Sequence, residues 1–285
     1  MPTAAIISKP NKPELKELIC GVVDWLEGHG YQVVLDPESA IHVSGCKCAP
    51  RERLEGYKLE FAVVLGGDGT LLAAARALAR AAVPLLAVNL GSLGFLTEIS
   101  LSELYAHLES ITQQCCVVDE RSMLHCRLIR GTTIVHENEA LNDVVMKATA
   151  ARLADFELSI NGYRVTDYKA DALIVATPTG STAYSLAAGG PILAPGVKAL
   201  VITPVSPHSL THRPIVVEES SSIAVTISVG QEDGFLTLDG QVSVPIQNGD
   251  RVELELAKHR VKLMRQQNGQ KFFDVLRRKL HWGER

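Results

Sequence analysis

The chain lacks the features that mark a nucleic-acid coat, a membrane protein or a disulfide scaffold. Aromatic residues make up only 5% of its 285 residues, and the six Cys follow no framework spacing for a chain of this length. Positive charge is in deficit. Lys and Arg number 28 against 32 Asp and Glu, a formal net charge of −4. Binding to nucleic acid or to an anionic membrane through net charge is therefore excluded. No apolar run reaches the roughly 18 residues of a membrane span, because Arg76, Arg80 and Asn89 interrupt the best candidate. The apolar run Ala4–Ile7 before Lys9-Pro10 is too short for the core of a secretory signal. Also absent are GxxxxGK[ST], GxGxxG and GxSxG. His136-Glu137 has no His three residues on, and Cys46 and Cys48, with His42 nearby, miss the CxxC spacing of a metal site. What is present is ordinary for a folded soluble protein: 46% hydrophobic and 21% charged residues, with Gly at 22 and Pro at 13. The length suits two domains, and a cytoplasmic location is expected.

The first 115 residues alternate strand with helix. Ala4–Ile7 is a short apolar strand. Leu15, Leu18, Ile19, Val22 and Leu26 then recur at helical spacing, with Gly28 and Gly30 as stops. Tyr31–Leu35 reads as a second strand, Ile41–Glu60 has no single pattern, and Phe61–Leu65 is a fully apolar strand ending in Gly66-Gly67. A helix over Leu71–Ala82 and a strand over Pro84–Asn89 follow. A helix to about Gln113 then starts behind the capping pair Ser100 and Glu103. Such alternation implies a parallel sheet. After Cys115 the period becomes two: Leu124, Cys126 and Leu128, then Phe156, Leu158 and Ile160 running into the hairpin signal Asn161-Gly162. Asp239-Gly240 and Asn248-Gly249 repeat that turn chemistry. The expected fold class is an α/β N-terminal domain plus a mostly antiparallel β C-terminal domain. The expected boundaries are 1–115, 116–257 and a tail 258–285, whose helix near Lys271–Leu280 packs back on the first domain.

Two loops carry chemistry. Gly66-Gly67-Asp68-Gly69-Thr70 ends a buried strand and opens a helix. Glycines there allow a tight turn and close approach of a ligand, and the helix N-terminus offers free N–H groups to phosphate oxygens. Asp68 is the odd member, because a carboxylate among phosphate-facing amides repels phosphate. It suits a metal or a hydroxyl proton, or else a plain helix-capping role. The second loop, Thr177-Pro178-Thr179-Gly180-Ser181-Thr182-Ala183-Tyr184-Ser185, follows the apolar strand Leu173–Ala176. Its hydroxyls and Tyr suit a loop that hydrogen-bonds sugar and packs a ring on a base, or a Ser/Thr-rich turn that caps a helix.

Together the two loops resemble the NAD kinase family of bacterial ATP-NAD kinases. GGDGT is shared with a wider kinase superfamily. More specific are Asn89-Leu90-Gly91-Ser92-Leu93-Gly94-Phe95-Leu96, Asn142-Asp143 and the run from Thr177 to Ile192. The resemblance spans roughly residues 61–247 and implies a two-domain NAD kinase-like fold. It implies that Asp68 is the general base toward the adenosine ribose 2′-hydroxyl, with Gly69 beside it. It implies dinucleotide contacts from Asn142, Asp143, Asp171, Thr182, Ala183, Tyr184, Ser185 and Gln241, and basic groups near the pyrophosphate at Arg152 and Lys169. Asp143 stands where Glu is commoner in the family, one CH₂ shorter.

The implied reaction moves the terminal phosphoryl of ATP to NAD, giving NADP. Few positive groups are expected near the loop in so acidic a chain, so a divalent cation, Mg²⁺, should share the phosphate charge; no side chain is assigned to it. NAD and ATP are the expected partners, with no nucleic acid and no membrane, in a homo-oligomer (dimer or tetramer) as family members form. A lipid or sugar kinase of the wider superfamily would keep GGDGT but leave Asn142-Asp143 and the second loop without a purpose. A non-enzymatic dinucleotide sensor would have no need of Asp68.

Overall fold

The computed structural model describes residues 1–10, 12–91, 94–148, 154–229, 234–266 and 272–282. The chain divides into two compact units, Met1–Glu120 with Arg260–Arg285, and Arg121–His259.

In the first unit β1 (Thr3–Ser8), α1 (Lys16–Gly28), β2 (Gln32–Leu35), α2 (Pro37–Ala40), β3 (Lys47–Cys48) and β4 (Phe61–Gly66) come in turn. Then follow α3 (Asp68–Leu78), β5 (Pro84–Asn89), β6 (Ile99–Ser100) and α4 (Leu104–Thr112). The helical face anticipated on α1 is the buried one: Ile19, Val22, Val23 and Leu26 pack with Ile6, Leu35, Val63 and Leu86. Ser100 and Glu103 form the reciprocal capping box, and a short 3₁₀ turn, Leu101–Glu103, leads into α4. The helix after the glycines starts three residues earlier than the apolar pattern predicts, because Asp68 and Gly69 already take helical conformation. The strands pair in parallel in the order β3-β2-β1-β4-β5. The chain thus runs outward from β1 and then returns to its other side. That reversal puts a crevice at the carboxyl ends of β1 and β4, where open α/β sheets hold ligands.

The second unit takes up β7 (Cys116–Arg130) from Arg121 onward, then β8 (Thr133–Ala140), β9 (Asp143–Ala148), β10 (Ala154–Ile160), β11 (Tyr163–Ala170) and β12 (Ala172–Ala176). After α5 (Tyr184–Ala187) come β13 (Ala199–Val205), β14 (Ile215–Glu218), β15 (Ile223–Ser228), β16 (Gly234–Leu238), β17 (Val242–Ile246) and β18 (Arg251–Gln266). One antiparallel sheet runs β14-β13-β12-β9-β16-β17. Its inner face packs Val144, Met146, Leu173, Val175 and Leu236 against Phe156, Leu158, Val225 and Val252 of the strands opposite. On its outer face Val145, Ile174 and Val201 are covered by Ala188 and Leu193. This explains the unbroken apolar run of β12: a strand buried on both faces has no polar positions to alternate.

Asn161-Gly162 is a two-residue hairpin turn joining β10 to β11, and Asp239-Gly240, followed by Gln241, turns β16 into β17, with positive φ at both residues of each pair. Asn248-Gly249 makes a turn but no hairpin, because β18 pairs with β15. From Arg260 onward β18 belongs to the first unit and lies parallel to β5, with Lys262 opposite Pro84. The closing helix, α6 (Phe272–Leu280), buries Val275 and Leu276.

Candidate active site

At the carboxyl ends of β1, β4 and β5 lies a cavity of about 420 Å³. Lys9 and Lys12 enter it from the chain after β1, Gly66 and Gly67 from the end of β4, and Asn89, Leu90 and Gly91 from the end of β5. Gly67 is the N-cap of α3, so the positive end of that helix opens beside the glycines. The two lysines were not anticipated as site residues. Their signal lay only in position, just past a first strand that proves to be central in the sheet.

Asp68 does not cap its own helix. Its carboxylate turns to the segment after β5. Oδ1 accepts from Leu96 N at 3.2 Å, Thr97 N at 3.0 Å and Thr97 Oγ1 at 2.9 Å, while Oδ2 accepts from Phe95 N at 3.0 Å. Gly94 is a glycine for want of room: a Cβ there would stand 2.0 Å from Asp68 Oδ1. A carboxylate offers about two lone-pair sites on each oxygen. Oδ1 is therefore saturated, and Oδ2 keeps capacity for one more donor.

In the second unit the structure brings three stretches together around Asn142 and Asp143. The carbonyls of Leu141 and Asn142 accept from Thr177 Oγ1 at 2.6 Å and Thr177 N at 2.9 Å. Gly180 follows one turn later, so close that a Cβ on it would lie 2.0 Å from Asn142 O. From the other side Asp239, in the β16–β17 turn, accepts from Leu141 N at 3.1 Å and Asn142 N at 2.7 Å. Asp143 N also donates to it at 3.4 Å. The Asn142–Asp143 turn is thus held through its own backbone, and its side chains are left for other partners. Asn142 Oδ1 is buried and accepts no hydrogen bond, an arrangement that suits a donor brought by a ligand. Burial, reinforced by the negative charge of Asp239, pushes the Asp143 carboxyl up to about 7. Asp239 also was not anticipated; its hairpin turn was read for geometry alone.

The other anticipated residues divide. Thr182 Oγ1 donates to Thr179 O at 3.2 Å, and Ser185 is fully buried, its hydroxyl 2.9 Å from that of Thr203. Both hydroxyls are engaged within the fold. Ala183 forms the joint between a 3₁₀ turn and α5, which presents the Tyr184 ring at the surface. Gln241 is exposed, directly after the Asp239-Gly240 turn, and Gly69 is exposed in the first turn of α3. Lys169 and Asp171 are exposed at the end of β11 and just before β12. Asp171 O accepts from Ala148 N, whereas Asp143 opposes Ala176. Those two residues therefore sit a strand length away from Asn142–Asp143, roughly 16 Å. Arg152 lies outside the described residues.

A family model described as the ATP-NAD kinase N-terminal domain matches residues 4–115, and one described as the ATP-NAD kinase C-terminal domain matches residues 141–266. The NAD kinase of Koribacter versatilis is 55% identical, covering 100% of both chains. That of Acidobacterium capsulatum is 50% identical, covering 99% of both. Among solved structures, yeast NADH kinase complexed with NADH is similar at a TM-score of 0.90 and 25% identity, covering 100% of this chain and 89% of that one. An NAD kinase from Archaeoglobus fulgidus in complex with ATP shares the fold, with a TM-score of 0.78, 24% identity and 98% of both chains covered.

Proposed function

The chain belongs to the ATP-NAD kinase family, and from that premise we propose how its own residues divide the work. The enzyme transfers the terminal phosphoryl of ATP to the 2′-hydroxyl of the adenosine ribose of NAD, giving NADP. In that step the hydroxyl oxygen bonds to the γ-phosphorus, the bond to the ADP oxygen breaks with its electron pair, and the hydroxyl proton leaves. Such transfers depend on positioning and on charge neutralisation.

Asp68 takes the proton. The observation that carries this assignment is the open lone pair of Oδ2 on a carboxylate whose other sites are filled by fixed donors. The cavity at the ends of β1 and β4 receives the triphosphate, with Lys9, Lys12 and the N-terminus of α3 opposing its charge. Glu14 lines the same cavity and pairs with Lys12 at 2.8 Å, so the positive side chains near the loop remain few. Among the described residues no three His, Cys, Asp or Glu stand together to cage a metal ion. The divalent cation, Mg²⁺, is read as arriving on the ATP phosphates, as part of the substrate. Asn142 and Asp143 hold the dinucleotide, supported by the buried acceptor Asn142 Oδ1, with Tyr184, Gln241, Lys169 and Asp171 as further contacts.

Exposed Tyr163 and Val165 on β11 support a homo-oligomer, a dimer or tetramer. The six unpaired cysteines support a reducing, cytoplasmic location. No described helix is long and apolar enough to cross a membrane.

Asp68→Asn tests the assignment of the base. It keeps the shape and one acceptor oxygen, gives up the bond from Phe95 N, and removes basicity. At saturating Mg²⁺, ATP and NAD, kcat should fall at least about a hundredfold while NAD binding persists. Recovery of activity with excess Mg²⁺ would instead make Asp68 a metal ligand, and an unchanged kcat would remove it from the chemistry.

A further inference from the structure

Thr97 is fully buried and Asn89, the last residue of β5, is nearly so. Asn89 Oδ1 accepts from Gly91 N at 2.7 Å. A backbone N–H can only donate, so this bond fixes which way the Asn89 amide points. Its Nδ2 therefore faces Thr97, donating to Thr97 O at 3.2 Å and to Thr97 Oγ1 at 3.0 Å. With a donor on its oxygen from Asn89, the Thr97 hydroxyl must send its own proton elsewhere, and the acceptor within reach is Asp68 Oδ1 at 2.9 Å. The hydrogen-bond direction is thus set along the whole chain, from Asn89 to Thr97 to Asp68.

We propose that Thr97, oriented by Asn89, is a positioning residue that steadies the Asp68 carboxylate and so keeps the open lone pair of Oδ2, the less heavily bonded oxygen, in one direction to receive the ribose proton. The backbone donors of Phe95, Leu96 and Thr97 fix where the carboxylate sits. They already split two to one, Leu96 N and Thr97 N on Oδ1 and Phe95 N on Oδ2. The hydroxyl adds a fourth donor, on the more heavily bonded oxygen, and so narrows the tilt of the carboxylate plane about the Cβ–Cγ bond. A base whose free lone pair is held toward the reacting hydroxyl loses little to reorientation, and misplacement by about 1 Å in such a site costs on the order of a hundredfold in rate. Thr97 touches neither substrate and acts through Asp68.

The inference rests on Asp68 being the base, and the test keeps the two apart. Thr97→Val keeps the size and branching of the side chain and deletes the donor; Thr97→Ser keeps the donor. Steady-state rates at saturating Mg²⁺-ATP and NAD should show kcat lowered tenfold or more by Thr97→Val, with KM for NAD and for ATP each within about twofold of wild type. Thr97→Ser should restore most of kcat. A purely structural role would raise both KM values, lower the melting temperature and leave Ser no better than Val; that pattern overturns the proposal. Unchanged kcat in Thr97→Val beside a large loss in Asp68→Asn overturns it while leaving Asp68 as the base. Unchanged kcat in both removes the base assignment itself. Should Thr97→Val fail to fold, Thr97→Ser against Thr97→Cys asks the same question, since the thiol is the weaker donor. Equal kcat values in that pair count against the proposal.

Discussion

Asp143 and Asp239 place two carboxyl groups side by side in the interior of the second unit, 4% and 8% exposed. Asp239 is held in the left-handed region at φ 52 by its hairpin turn and accepts backbone N–H groups from Leu141 to Asp143. Among the described residues Asp143 has no such set of donors, and burial and the neighbouring charge raise its carboxyl from 3.8 to about 7.

That difference sets a pH dependence of stability. The unfolded chain ionises Asp143 near its ordinary value, while the folded protein holds the proton until about pH 7. Folding is favoured fully at acid pH, loses ground as pH climbs through this window, and levels off above it. The total loss is on the order of 4 kcal/mol. Asp143→Asn removes the ionisation. Its gain in unfolding free energy over wild type should be larger at pH 8 than at pH 5 by about 3 kcal/mol in urea titrations. An equal gain at both values would show that Asp143 does not carry the proton.

Local patterns in the sequence carried the elements well, and the long-range partners poorly. Ser100 with Glu103, Asn161-Gly162 and Asp239-Gly240 are contacts among near neighbours, so each declares its turn or cap directly. The donors that surround Asp68 come from Phe95 to Thr97, well beyond any local window, and those on Asp239 come from almost a hundred residues upstream. Lys9 and Lys12 become visible as site residues only once β1 is known to neighbour β4. A run of hydroxyls, in turn, does not say which ones face inward. Ser185 is committed to Thr203 because its short helix packs down on β13, while Tyr184 beside it points out.

Lys9 and Lys12 supply a prediction about the phosphoryl donor. Lys12 pairs with Glu14 at 2.8 Å on exposed side chains, an interaction worth little to the fold. The double substitution Lys9→Ala/Lys12→Ala should therefore leave the melting temperature nearly unchanged. KM for ATP should rise about tenfold or more, equivalent to about 1.4 kcal/mol, with KM for NAD within about twofold. Initial rates with each substrate varied in turn decide the matter. A rise confined to NAD would assign the cavity to the other substrate.

Tyr184 gives the complementary prediction for the dinucleotide. The loop ahead of it is locked: Ser181 Oγ donates to Pro178 O at 2.7 Å and accepts from Leu193 N at 2.9 Å. Thr177 and Gly180 meanwhile press against the Leu141–Asn142 backbone. The chain leaving this rigid loop has one turn of helix in which to present Tyr184, and the ring emerges 41% exposed. An exposed aromatic on a fixed support loses little entropy when a base or nicotinamide ring stacks on it, and such a stack is worth about 1–3 kcal/mol. Tyr184→Ala should therefore raise KM for NAD by roughly five- to 150-fold, with KM for ATP almost unmoved. Tyr184→Phe keeps the ring and should stay near wild type. If Phe is as damaging as Ala, the hydroxyl rather than the ring is what the dinucleotide meets. If neither changes KM for NAD, the loop serves to brace Leu141 and Asn142 from behind, as its contacts with their backbone already do.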